Sequence, residues 1–230
     1  MKRKFVVDMK QEMPDWVARQ YAYQIADGSQ ALYERLVGEL IPRLKDAIRV
    51  IDVGCGPGHA TELLASRLPR TEVLGVDLSE VLIKIAKRKR ELRENLRFEL
   101  GDALDLRHPD SAFDAAVSFM SIKAWPDRQK GVQEMARLVR PGGWVGLFEC
   151  DPDCSRQAAQ NFCAMWRWNL GLPGQVVARM GRAWYFRRFV ARDGARDEEL
   201  RALLKGAGLT DLESFSWSDQ PFAFAIGRRP

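Results

Sequence analysis

The chain has 230 residues, a net charge of +5 and a pI near 9.1, with 46% apolar and 29% charged residues, an ordinary balance for a globular protein. That length suits one domain able to bury roughly 70% of its unfolded surface, and no apolar run approaches the ~20 residues that a membrane span requires. The amino-terminal MKRKFVVDMKQE lacks an apolar core of secretory length, which points to a cytoplasmic protein. A basic balance of this size permits contact with nucleic acid or an acidic surface without requiring it.

In chain order, residues 1–45 read as a helical cap, with Trp16, Tyr23, Tyr33, Leu36 and Leu40 among its apolar positions. From Arg49 onward strand-like and helix-like segments alternate. Strands are expected at 49–54, 72–77, 96–101, 113–119 and 143–150, with helices near 59–68, 80–94 and 127–140. Pro141-Gly142-Gly143 is expected to stop the third helix and turn the chain into the fifth strand. An insertion over 151–192, rich in Trp, Met, Phe and Arg, follows that strand. The last part, 193–230, carries a helix at 197–206 and strands at 210–217 and 221–227 with no helix between them, an antiparallel hairpin at the sheet edge.

This order predicts a single α/β domain over residues 1–230. It would be a doubly wound, mostly parallel seven-stranded sheet with an antiparallel edge strand, a helical N-terminal cap and a helical insertion after strand 5. The basic run KIAKRKRELRENLR reads as the solvated face of a surface helix, because Val81, Leu82, Ile85 and Leu92 recur at helical spacing beside it. Of the four cysteines, Cys55 lies in a glycine-rich turn, while Cys150, Cys154 and Cys163 lack the paired C-x-x-C spacing of a zinc site. No metal set stands out.

The segment Val50-Ile51-Asp52-Val53-Gly54-Cys55-Gly56-Pro57-Gly58 runs an apolar strand into a glycine-rich turn before a helix. That is where open α/β sheets bind nucleotides, and glycines let backbone N–H groups approach a ligand that a Cβ would push away. Two acids at strand ends, Asp77 in VLGVDLS and Asp102 in FELGDAL, strengthen the signal. His59 stands where a dinucleotide fingerprint would place its third glycine, so the pattern is D-x-G-C-G-x-G.

With these motifs the sequence resembles the class I S-adenosylmethionine-dependent methyltransferases, in particular the small-molecule group similar to ubiquinone and menaquinone biosynthesis enzymes. The resemblance covers about residues 45–150 and includes VIDVGCGPG, VLGVDLS, FELGDALDL, FDAAVSFMSIKAWPD and LVRPGGWVGLFE in order. It implies S-adenosyl-L-methionine as donor, S-adenosyl-L-homocysteine as product, and a donor-binding core at 46–150 covered by the cap and by a lid at 151–192. It also implies donor contacts from Asp52, Gly54, Cys55, Gly56, Gly58, Asp77, Leu78, Asp102, Ala103 and Ser118.

Asp77, 23 positions after Gly54, would accept hydrogen bonds from both ribose hydroxyls. It could instead cap the following helix, a role for which Ser79 competes. Asp102 would receive the adenine amino group, or serve only as a turn residue; Ala103 would offer its N–H to the ring. Ser118 would face the methionine portion, or stand as a satisfied buried hydroxyl. Asp52 would orient the methionine ammonium indirectly, and the helix start at Gly58 and His59 would meet the donor carboxylate. His59 reads as structural rather than as a base.

Methyl transfer from a sulfonium relies on alignment and exclusion of water. The sequence names no catalytic base, although Glu149, Asp151 and Asp153 follow the fifth strand. The implied partner is a small apolar or aromatic acceptor. Ser118-Phe119-Met120-Ser121 lacks the N/D-P-P-Y/F and Pro-Cys signatures of base-modifying relatives, which points away from nucleic acid. The aromatics Phe162, Trp166, Trp168, Trp184, Tyr185, Phe186 and Phe189, with Arg167, Arg179, Arg182, Arg187 and Arg188 among them, suit either an acceptor lid or plain packing. Arsenite methylation through Cys150, Cys154 and Cys163, and a non-catalytic binding protein that docks a protein or RNA partner, remain the alternatives.

Overall fold

Apolar alternation along each strand decides the architecture. The computed structural model describes residues 15, 19, 22, 30–90, 93–165, 181, 183, 184 and 186–230, with residues 90, 165 and 189 by backbone alone. Helix α1 (Gln30–Leu44) precedes β1 (Arg49–Val53), α2 (His59–Arg67), β2 (Glu72–Asp77), α3 (Glu80–Arg90), β3 (Leu96–Leu100) and β4 (Phe113–Phe119). A 3-10 turn (Ile122–Ala124), α4 (Arg128–Leu138), β5 (Val139–Cys150) and α5 (Arg156–Met165) follow. A π-helical turn (Phe186–Val190), α6 (Asp197–Gly206), β6 (Thr210–Ser216) and β7 (Phe222–Arg228) complete the order.

The seven strands form one sheet in the order β3-β2-β1-β4-β5-β7-β6. Strands β1 to β5 pair in parallel, and β7 runs antiparallel to both β5 and β6. The expected hairpin is therefore present at that edge, with its second strand tucked inward so that β6 is outermost. The chain steps outward from β1 to β2 and β3, then returns to β1's other side as β4. That reversal opens a crevice beyond the carboxyl ends of β1 and β4.

On one face Val50, Ala115, Val117, Phe148, Phe222, Phe224 and Ile226 pack with α1, α2 and α5. On the other Ile51, Val53, Ala116, Val145, Leu147, Ala223 and Ala225 meet α4 and α6. Small residues on β7 let α6 lie close, whereas Phe148 and Phe224, with ring centroids 4.5 Å apart, fill the opposite side. Leu40 of α1 sits over Gly146 of β5, where a side chain would crowd it.

One boundary differs from the sequence reading. Strand β5 begins at Val139, not at 143, and Pro141-Gly142-Gly143 forms a bulge inside it. Val139 pairs with Phe113 and Trp144 with Ala115, so six residues on β5 span three on β4, and Gly142 takes φ 78° at the bend. Helix α3 is described to Arg90, and 91–92 lie outside the described residues, as do Trp16, Tyr23 and most of the expected cap. Among the described residues no helix is long and apolar enough to cross a membrane.

The floor of the sheet is tied by Asp114. Burial pushes its carboxyl up, but hydrogen bonds from Arg140 (2.5 Å) and from the Arg49 and Ile48 N–H groups (2.7 Å each) outweigh this and hold it below the ordinary range. Such a group stabilises the fold above its unfolded pKa and loses that contribution as pH falls through the lower folded value. Asp114→Ala should therefore lower unfolding free energy by about 1–3 kcal/mol at neutral pH. In urea melts the gap to wild type should narrow below pH ~4; a gap independent of pH would contradict the charge-assisted tie.

Candidate functional site

The turn after β1 is shaped by three left-handed glycines, Gly54, Gly56 and Gly58, at φ 77°, 54° and 85°. Space is as restrictive as conformation. A Cβ on Gly58 would stand 2.6 Å from Phe98 Cζ, and one on Gly54 would overlap the Ser121 hydroxyl. The Gly54 and Cys55 N–H groups donate to Val76 O at 2.7 and 3.0 Å, and Gly58 N–H donates to Cys55 O at 3.0 Å. Cys55 is buried against Gly75, and burial first, then the neighbouring Asp77 and Asp52, pushes its thiol well up.

Asp77 ends β2 and ties the turn to the next strand. Its Oδ2 accepts Gly56 N–H at 2.8 Å and its Oδ1 accepts Ser79 N–H at 2.9 Å. Ser79, not Asp77, caps α3, its hydroxyl accepting Leu82 N–H at 3.3 Å. Each Asp77 oxygen retains an unused lone pair, so the carboxylate is oriented by the loop without being saturated. Burial raises its pKa, opposed by the two N–H donors. Next to it Leu78 is 52% exposed and Leu100, paired with Asp77 in register, is 58% exposed, an unusual apolar surface at the strand ends.

Asp52 lies beneath the loop, 1% exposed, and accepts the Thr61 hydroxyl of α2 at 2.6 Å. Its other oxygen is buried with no hydrogen-bond partner among the described residues. Burial pushes its carboxyl up to about 7; the Thr61 bond opposes this and the Asp77 charge adds to it. His59, the first residue of α2, is buried and stacks on Tyr33 of α1 with ring centroids 5.7 Å apart.

The remaining expected residues divide. Asp102 is exposed, with Oδ1 accepting Leu104 N–H at 2.8 Å in a side-chain turn, and Ala103 beside it is half-buried. Ser118 is fully buried and shares a 2.8 Å hydrogen bond with Ser121, whose hydroxyl donates to Val53 O at 3.1 Å. Ser118 thus reaches the loop only through Ser121, a residue that the sequence motifs did not single out. Met120, just before it, takes φ 56°, rare for a residue with a Cβ, and this reversal aims Ser121 back at the loop. A Met in a strand-to-turn junction carries no sequence mark of that conformation.

Beyond β5, Asp151 accepts Asp153 N–H at 2.9 Å, and Asp153 lies 3.4 Å from Arg196. Glu149 is wholly buried and bonds Lys123 Nζ at 3.1 Å. Cys150, Cys154 and Cys163 are all buried. Burial pushes the first two thiols up to about 12 and about 11, and nearby Lys123 and Arg187 respectively oppose this. Among the described residues no three His, Cys, Asp or Glu side chains form a group that could hold a metal ion. Phe162 and Phe186 of the insertion pack against Phe222 of β7, with centroids 5.1 and 6.4 Å from it, while Trp184 is 65% exposed. Trp166, Trp168, Arg167, Arg179, Arg182, Tyr185 and the Phe189 side chain lie outside the described residues.

Residues 50–143 match the family model described as a methyltransferase domain. The chain is 30% identical over 178 residues to the demethylmenaquinone methyltransferase of Bacillus licheniformis, covering 77% of each chain. It is 26% identical to the enzyme of the same name from Staphylococcus carnosus, over 80% of this chain and 77% of that one. Among solved structures it is similar to an S-adenosylmethionine-dependent methyltransferase from Methanococcus maripaludis, with TM-score 0.71, 16% identity and coverage of 95% and 94%.

Without ligand, folded Asp52 keeps its proton to about pH 7, whereas the unfolded chain releases it near pH ~4. Between those values the folded state binds more protons, so stability falls as pH rises, by up to about 1.4 kcal/mol per pH unit. Asp52→Asn should flatten that slope in urea melts from pH 4 to 8. Parallel curves for the two proteins would refute the burial-driven shift.

Proposed function

The chain belongs to the class I S-adenosylmethionine-dependent methyltransferases, and we propose that it methylates a small, reduced, quinone-like aromatic acceptor. The observation that carries this reading is the joint presence of an intact glycine turn clasped by Asp77 and a kinship that spans most of both chains with demethylmenaquinone methyltransferases. In this reading 46–150 is the donor-binding core, 1–45 a cap and 151–192 a lid.

The residues present fit the donor. The turn at Gly54 to Gly58 follows the left-handed backbone path of a glycine loop at a strand end, and Asp52 holds a buried oxygen that lacks a partner among the described residues. Asp77 would accept the ribose hydroxyls on its unused lone pairs. The exposed Leu78 would cover one adenine face, with Asp102 and the Ala103 N–H at the ring edge. The backbone of the turn at Cys55 and Gly56, its N–H groups held by Val76 O and Asp77, would line the side of the methionine portion, and Ser118 would support that side through Ser121. Asp52, once ionised, would balance the donor's positive charge from beneath.

Bound S-adenosylmethionine supplies a methyl group on a sulfonium, which departs in line while the S–C electron pair stays on sulfur. The acceptor must therefore donate electrons, which a reduced hydroquinone ring does and an oxidised quinone does not. The protein's part is to align the pair and exclude water.

Two measurements test this. Asp77→Ala should weaken S-adenosylhomocysteine binding by about 1–3 kcal/mol through lost ribose hydrogen bonds, read by calorimetry; unchanged affinity removes the assignment. Wild-type protein should transfer labelled methyl from the donor to a short-chain prenylated 1,4-naphthoquinol under reducing conditions. Tight donor binding without that transfer would exclude the quinol acceptor and leave only the donor reading.

A further inference from the structure

Asp52 is a carboxyl group placed where its anion is poorly supported. It is 1% exposed beneath the glycine turn, and Thr61 of α2 donates its hydroxyl to one oxygen at 2.6 Å. The other oxygen is buried with no hydrogen-bond partner among the described residues. A carboxylate offers about four lone-pair sites, so one hydroxyl leaves most of them bare.

The neighbours do little to help the anion. Asp77, at the end of β2, bears on it with a like charge, and the buried Cys55 thiol in the turn feels both acids. On α2, His59 is turned onto Tyr33 of α1, and Glu62 is half-buried one residue beyond Thr61. The strand partners of Asp52 are Gly75 on β2 and the apolar Val117 on β4. Helix α1 meets this face through Tyr33, Leu36, Val37 and Leu40, while its Glu34 and Arg35 are exposed.

The two forms of the donor differ by one charge. Both S-adenosylmethionine and S-adenosylhomocysteine carry an ammonium and a carboxylate, but the sulfur is a cation in the first and neutral in the second. A cation above the turn favours the ionised form of a carboxyl beneath it. Buried charges are screened far less than exposed ones, so this coupling does not need direct contact.

We infer that Asp52 couples donor binding to proton release, yielding its proton to solvent when the cationic donor seats on the turn and regaining one after the methyl has left. This rests on the donor site proposed above. Protons balance over the cycle. One leaves Asp52 as the donor binds, one returns to it in the product complex, and the proton that the acceptor loses on methylation is the net release. Burial keeps the ligand-free carboxyl protonated up to about pH 7. Below that value donor binding must displace a proton, so donor affinity falls as pH falls, by up to about tenfold per pH unit, and product affinity falls less. Above it the carboxyl is already ionised, and the preference for donor levels off. Acidification therefore tips the site toward its product.

Calorimetry at about pH 6, in two buffers of unlike ionisation heat, counts the protons exchanged on binding. At that pH the ammonium of either ligand, with a pKa near ~8, stays charged. Wild-type protein should release more than about half a proton per S-adenosylmethionine bound, and at most half that amount per S-adenosylhomocysteine. Asp52→Asn keeps the shape but cannot ionise. It should bring the two counts together and make the donor-to-product affinity ratio independent of pH from about 5.5 to 7. A donor-specific proton that is lost in folded Asp52→Asn supports the inference. Equal counts on wild type, or a donor-specific proton that survives the substitution, overturns it and leaves the donor site standing. Should Asp52→Asn not fold, Thr61→Val decides, because it removes the hydrogen bond that favours the anion. The pH at which donor preference levels off should then rise by about half a unit or more; an unmoved value overturns the inference. Binding of neither ligand by wild-type protein removes the donor site and the inference together.

Discussion

The rim of this sheet is built around a turn that admits no side chain at Gly54 or Gly58. Gly54 and Gly58 are closed off by Ser121 and Phe98, and Asp77 reaches across to hold the Gly56 N–H. Conformation, space and hydrogen bonding therefore demand the same residue type at neighbouring positions. The backbone N–H groups of the turn are partly spent on Val76 O, which registers the turn against β2. Everything polar at the rim is placed relative to that anchor: Asp52 below it, Ser121 beside it, and the Lys123–Glu149 pair one strand further along.

Charge is distributed along the rim in a way the strand order explains. Asp52 and Asp77 are carboxylates whose burial raises their pKa values, a shift that hydrogen bonds from Thr61 to the first and from the Gly56 and Ser79 N–H groups to the second oppose without cancelling. Glu149, by contrast, already has its cation in Lys123. The acids on the β1–β2 side are thus poised for a ligand, and the acid on the β5 side is occupied with the protein itself.

Much of this was legible from local pattern. Alternating apolar strands, the glycine turn, and the acids ending β2 and following β3 are each encoded within a few residues, and the structure sets the strands close to the expected bounds. What was not legible depends on contacts between distant segments. Pro141-Gly142-Gly143 reads as a helix stop, yet pairing with β4 draws Val139 into the sheet and turns the motif into a bulge. Ser118 carried the motif, but Ser121 makes the contact, because the left-handed Met120 reverses the chain after β4. Lys123 and Glu149 are 26 residues apart, and only the parallel pairing of β4 with β5 unites them.

Among the described residues, the insertion after β5 is rooted by aromatic packing. Phe162 and Phe186 bury themselves against Phe222, and Ala195 N–H returns to Cys150 O at 3.0 Å, closing the excursion where it began. Gly194 is required at that closure, since a Cβ there would overlap the Cys150 carbonyl. An insertion whose two ends are pinned at one strand end can change its intervening sequence without disturbing the sheet. The glycine turn after β1 is fixed by backbone geometry of its own, independent of that segment.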